Sequence, residues 1–335
     1  MTGTITTEQR GRADLGVISA RRSGLFGAAI LWIMLFHSSM EIAWEPLHLI
    51  KATGYAGVDV FLFLSGIGLF YSMEKDPSPV RFYKKRAVRV LLPYLLVAVV
   101  WECARWVTGA CTGAEAAENV LLISYWRRGY PAYWFIAAIV VFYLIYPALY
   151  PAVKGRKYGV WAALLALAFG AAWLLYQNQG LFYRISGFVF RIPVFLMGCF
   201  LAPFVKEGRP AFRTVPAAIG CAGIALVCWY LWIGCEPWFL RMYLFLPLSM
   251  ALVLLGALGL SRLPAGSPPE RCLLWLGDMT LELYLVHEKI LAVLSKVLFP
   301  NHAGSWAINL LAFALAVAAA WCLRKLCTAI AKRIL

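Results

Sequence analysis

Apolar residues run along this chain in stretches near 20 residues, the length an α-helix needs to cross a hydrocarbon core. Such stretches lie at 24–43, 55–73, 89–108, 132–150, 158–176, 186–205, 215–234, 242–260, 272–298 and 305–327. The boundaries carry helix-ending punctuation: Lys75-Asp76-Pro77, Pro151 with Lys154, and Arg262 with Pro264. The pattern predicts an all-α polytopic membrane protein of about ten transmembrane helices. It divides the chain into an N-terminal segment (1–23), a membrane domain (24–327) and a C-terminal tail (328–335). No repeat or low-complexity linker splits it further.

Composition sharpens this picture. With 62% hydrophobic and only 14% charged residues there is too little polar surface for a soluble enzyme fold. The net charge of +15 would suit nucleic acid in a soluble protein, but here it follows the loops. Twenty-two of the 31 Lys and Arg fall on the side shared by the N-terminus and every second loop, which predicts both termini in the cytoplasm. Membrane lipids, and no nucleic acid, are the expected surroundings. Arg10, Arg12, Arg21 and Arg22 precede the first apolar stretch, which reads as an uncleaved span. The nine cysteines show no CxxC spacing, so no metal site is expected; Cys103, Cys199, Cys221, Cys228 and Cys322 read as small buried hydrophobes.

Candidate chemistry comes from ionisable groups where the pattern demands apolar ones, because such groups are costly in a span unless they face a cavity or a partner. His37, Asp59, Arg191, Glu282 and His287 stand out. On a rise of ~1.5 Å per residue, His37 is roughly 20 Å and His287 roughly 22 Å from the inner boundary, so the two histidines share a depth in the outer half. Asp59 and Arg191 lie near the outer boundary, where they can line the same cavity or simply pair with each other. Glu282 is four residues from Asp278, on one helix face, beside basic loops. Thr280, Tyr284 and His287 form a stripe that either orients the histidine or joins helices.

The loop after the second stretch reads FYKKRAVRVLLPY. Lys85, Arg86 and Arg89 sit at the membrane edge, with Arg86 and Arg89 at i and i+3, able to face one phosphate-bearing ligand or the anionic lipid surface. The outer loop, 109–131, ends in Trp126, Arg127, Arg128 and Tyr130 and is placed to cover an outer cavity or lie on the membrane. Tyr133 and Trp134 follow, as interfacial aromatics or as platforms for a sugar ring.

Together these segments resemble the acyltransferase-3 family of integral membrane enzymes. The resemblance rests on AAILWIMLFHSS around His37, GVDVFLFLSGIGLFYS at 57–72, the Phe82, Arg86, Arg89, Pro93, Tyr94 pattern, YWFIAAIVVFYLIYP from Tyr133, RIPVFLMGCFLA from Arg191, and LGDMTLELYLVH ending in His287. One position departs: the family's arginine eleven residues before the histidine is Phe26 here, and Arg22 lies one turn earlier. The resemblance implies a multi-pass enzyme of the bacterial cell membrane that moves an acyl group, by family habit acetyl, from cytoplasmic acyl-CoA to a hydroxyl of a cell-envelope glycan or related acceptor. It implies His37 as general base and Lys85, Arg86 and Arg89 on the acyl-CoA phosphates. Ser65, Tyr284, His287 and Asp59 are then candidate oxyanion or supporting groups, and Tyr133, Trp134 and Arg191 candidate acceptor contacts. Two rivals stay open. A transporter or flippase would show internal duplication and broken helices, which the sequence does not display. Phe26 leaves room for a catalytically degenerate sensor or scaffold.

Overall fold

The computed structural model describes residues 11–129, 131–234 and 238–334. A short strand, β1 (Arg12–Asp14), and α1 (Gly16–Ala20) lead into α2 (Arg22–His37), α3 (Glu45–Ala52) and α4 (Gly57–Lys75). Then come α5 (Pro79–Arg86), α6 (Leu92–Val107), α7 (Gly113–Val120), α8 (Ile123–Arg128), α9 (Trp134–Lys154), α10 (Tyr158–Gln177), α11 (Gln179–Val189) and α12 (Ile192–Glu207). Strand β2 (Ala211–Arg213) precedes α13 (Thr214–Gly234), α14 (Trp238–Tyr243), α15 (Phe245–Leu260), α16 (Pro268–Asp278), α17 (Thr280–Ala292) and α18 (Trp306–Ile334). The all-α membrane architecture follows the apolar pattern. Large apolar side chains such as Leu167, Leu174, Ile219 and Leu226 are exposed on α10 and α13, the faces a bilayer would cover.

Among the described residues eight helices are long and apolar enough to cross a membrane, against ten predicted stretches. The other two hold the candidate histidines, His37 and His287. The first is a 16-residue helix that stops at His37, so 38–43 is not part of it. The stretch predicted at 272–298 is broken at Met279 (φ −116°, ψ 24°) into α16 and α17, and widens into a π-helical turn at Val293–Leu298. The break removes the Asp278–Glu282 spacing on one continuous helix that the sequence led us to expect. A second break, at Phe190–Arg191, separates α11 from α12 and puts Arg191 at a helix start. Broken helices are therefore present although no sequence signal announced them. Toward the C-terminus α18 continues to Ile334, so 328–334 is helical.

Loops assigned to one side do meet. β1 pairs antiparallel with β2, Glu74 joins Lys154 (3.2 Å) and Lys206 (2.5 Å), Arg156 pairs with Glu207, and Arg21 with Glu270 (2.6 Å). These contacts gather the N-terminal segment and four loops at one end of the bundle, hereafter the basic end. Close backbone approach holds the central helices: a Cβ on Gly27 would strike the Leu273 carbonyl, and one on Gly277 the Ser23 carbonyl, so α2 and α16 touch main chain to main chain. Of the predicted buried cysteines, Cys199, Cys221 and Cys228 are buried, but Cys103 and Cys322 are exposed, because an apolar stretch in a membrane helix also supplies its outer face. The 109–131 loop folds into α7 and α8, capped by a Thr112–Glu115 capping box; Tyr130 lies outside the described residues.

Candidate active site

The break at Met279 lets α17 start beside α2, α4 and α9, and the space between these helices is a cavity of ≈ 210 Å³. Its mouth carries Arg22, Arg86 and Arg89; its walls include Ser65, Gly68, Tyr143 and Thr280; its far end is lined by Phe61, Phe135 and Tyr284. Gly68 makes room for Arg22: a Cβ there would come within 2.6 Å of its guanidinium, which would have to shift. Arg86 stacks between Phe82 (5.4 Å) and Tyr143 (5.7 Å). Arg89 pairs with the buried Glu282 (3.4 Å), which Arg324 also approaches (3.5 Å). The π-helical turn at Ala87–Leu91 lies between Arg86 and Pro93, where α5 passes into α6. Lys85 does not join this group. It turns to Asp76 (3.0 Å), whose carboxyl Arg81 and Lys85 hold at about 2, well below the ordinary carboxylate range.

Beyond Tyr284 stand the histidines. The ring of His287 is 5.9 Å from that of Tyr284, and its Nε2 is 3.0 Å from His37 Nδ1. His37 Nε2 lies 2.8 Å from Glu288 Oε1. The direction of this chain is forced. His287 Nδ1 faces the Leu283 carbonyl (2.9 Å), which can only accept, so Nδ1 carries the proton and Nε2 accepts. His37 Nδ1 must then donate, to His287 and to the Ile33 carbonyl at 3.1 Å. That leaves one proton for the His37 Nε2–Glu288 contact, resident on either partner. His287 is buried, whereas the His37 and Glu288 side chains are 25% and 41% exposed, so the pair is reachable from a mouth.

The other predicted residues are placed differently. Asp59 and Arg191 form a buried pair (3.4 Å), and Arg191 lies over the Trp134 ring at 5.0 Å. Tyr133 is buried, with its hydroxyl donated to Glu102 Oε1 (3.1 Å). Tyr133 and Arg191 are therefore internal supports, not exposed contacts, because each has a buried acid to satisfy. Sequence reasoning missed Glu288 and left Arg22 unassigned. Glu288 stands in the middle of an apolar stretch next to His287, a signal that was available. Arg22 precedes the first stretch and carried none beyond its spacing to Phe26.

Phe26 lines the same cavity as Arg22, so the guanidinium absent at one turn is supplied from the turn before. A cavity with a cationic mouth and, beyond Tyr284, a histidine–carboxylate pair fit a group-transfer site, and comparison with known families decides the class. The Acyltransferase domain of the acyltransferase-3 family matches residues 27–325. The chain belongs to that family. It is a membrane acyltransferase with multiple spanning helices. Comparison with curated proteins and with solved structures finds no match.

Proposed function

We propose that this acyltransferase takes its acyl group from acyl-CoA, acetyl-CoA in the simplest case, at the basic end, and delivers it to a hydroxyl at the His37–Glu288 pair. The observation that carries this reading is the cavity joining three arginines to Tyr284 beside His287. Coenzyme A bears several phosphate charges, which guanidinium groups bind with charge-assisted hydrogen bonds. Arg22 and His37 are 15 residues apart on α2, about 22 Å of helix, a span that an extended pantetheine arm on the order of 15–20 Å matches once the arginine side chains reach inward. With the basic end in the cytoplasm, as the loop charges favour, the hydroxyl approaches from the far side of a bacterial cell membrane, where cell-envelope glycans lie.

In this reaction the His37–Glu288 pair is base and then acid. When the shared proton resides on Glu288, His37 has a lone pair on Nε2 and is held in that tautomer by its Nδ1–H bond to His287. The acceptor hydroxyl replaces Glu288 at Nε2 and gives up its proton there as its oxygen bonds to the thioester carbonyl carbon. Tyr284, on the cavity wall with its ring 5.9 Å from that of His287, is the hydroxyl assigned to the developing oxyanion, with Ser65 as a second wall hydroxyl. The carbon–sulfur bond then breaks, and the proton on His37 passes to the departing thiolate, leaving ester, free coenzyme A and the pair as it began.

Mass spectrometry of envelope glycans and lipids from the host, comparing the parent strain, a deletion and His37→Ala at matched protein level, tests the reading. Loss of one acyl increment in both mutants is expected, at 10²-fold or more for the substitution, the scale of general base catalysis. Retention of the increment in His37→Ala would remove His37 as the base. No change in either strain would return the protein to transport or sensing, both compatible with its broken helices.

A further inference from the structure

The outer faces of α6, α17 and α18 enclose a groove of ≈ 640 Å³. Its lining is hydrocarbon, including Val97, Val100, Ala104, Leu294 and Leu315, apart from one charged residue, Lys289. The ammonium sits over the rings of Tyr133 (4.6 Å) and Trp101 (5.8 Å) and forms no ion pair among the described residues. Charges around it otherwise balance. Glu102 is met by Arg105 at 2.8 Å, and the His37–Glu288 pair, holding its single proton, sums to zero. Lys289 is thus one surplus positive charge on an apolar wall, next in sequence to the carboxylate of the reacting pair. A charge so placed calls for a counter-ion. The bundle offers its own contrast. A second lipid-facing groove, ≈ 520 Å³ between α2, α4 and α15, is lined by apolar residues alone and has nothing to fix a headgroup.

Resting on the acyl-transfer reading above, we infer that the Lys289 groove seats the acceptor as a single-chain lipid phosphate, with the hydrocarbon chain in the groove, the phosphate on Lys289, and the hydroxyl-bearing headgroup presented to His37. A phosphate is an anion that can join a long apolar chain on one side and a glycan on the other; a fatty carboxylate would end at Lys289 and bring no hydroxyl. One groove bounded by three helices takes one chain, whereas a diacyl phospholipid would leave its second chain outside. Lys289 is level with Tyr133, just inside the start of α9, so the phosphate would lie near the bilayer's polar boundary.

The full-length protein in nanodiscs, probed by native mass spectrometry with undecaprenyl phosphate and, separately, dioleoyl phosphatidylglycerol, tests this. Undecaprenyl phosphate is expected to be retained in preference to the diacyl lipid. Lys289→Gln should weaken its retention about 10-fold or more, the scale of a lost charged hydrogen bond. Lys289→Arg should preserve it, Leu294→Trp should block it by filling the groove, and Leu31→Trp in the other groove should change nothing. Equal retention by Lys289→Gln, or equal retention of both lipids with equal loss on substitution, would overturn the inference, the second result marking a seat for bulk anionic lipid. Coenzyme A release from acetyl-CoA is read with the same protein in host membranes, which supply the hydroxyl acceptor that undecaprenyl phosphate lacks. Turnover without selective lipid retention defeats the groove alone, while selective retention without turnover in the parent protein defeats the acyl-transfer reading and leaves the lipid site standing. Comparable melting temperatures for Lys289→Gln and the parent exclude misfolding as the cause.

Discussion

Two polar clusters, one at the mouth of the central cavity and one beyond its far end, are built in opposite ways. At the basic end, Arg22 at the start of α2, Arg86 at the end of α5 and Arg89 in the π-helical turn put cations in excess at the mouth, with Glu282 paired to Arg89. At the other end His37, His287 and Glu288 form a hydrogen-bonded line whose donors and acceptors are fixed by two backbone carbonyls and which has room for one shared proton. In the proposed reaction the first arrangement binds, because permanent guanidinium charges attract an anion. The second moves a proton, because a histidine nitrogen and a carboxylate share one between them. The acyl donor proposed above, with an anionic head and a reactive thioester, needs one of each.

Replacements that keep shape but alter one end alone would break the comparison if it is wrong. Glu288→Gln leaves a side chain able to donate to His37 Nε2 but unable to exchange a proton. Turnover should fall about 100-fold with coenzyme A affinity unchanged; a change confined to affinity would merge the two ends. Arg22→Gln should do the reverse, weakening coenzyme A binding by about 10-fold, seen by calorimetry, with much smaller loss of turnover at saturation. Adding Phe26→Arg to that variant should recover part of the affinity, since both side chains line the same wall one turn apart.

Tyr284 lies between the ends and sharpens the division. Tyr284→Phe should lower kcat about 10-fold, the scale of one hydrogen bond, and leave KM for the acyl donor in place, assigning the hydroxyl to the reacting end; a rise in KM alone would assign it to the binding end. The smallest effect belongs to Asp76, outside the cavity. Asp76→Asn should leave coenzyme A affinity within about twofold. Because Arg81 and Lys85 depress its carboxyl to about 2, its contribution to stability is present above the ordinary aspartate range near 3.9 and lost as pH falls toward 2. Melting temperatures of Asp76→Asn and the parent, compared between pH 7 and pH 2, should therefore converge at the acid end.

Much of the molecule was legible in the chain. A bilayer requires long apolar helices, so length and hydropathy alone gave the membrane fold, and the bias of Lys and Arg correctly grouped loops that the structure brings to one end. Ionisable residues inside apolar stretches are conspicuous because they are costly there, which is why His37, His287 and Asp59 could be singled out from sequence. Tertiary structure decided the rest. That Met279 breaks a predicted span, that Arg22 reaches the wall Phe26 occupies, that Tyr133 is spent on Glu102 and Lys85 on Asp76, and that Glu288 completes the histidine line all depend on which helix faces are turned toward one another. Helix orientation is set by packing, here by glycine contacts such as Gly27 and Gly277 that let backbones touch, and a pattern read along one chain holds no record of its neighbours across the bundle.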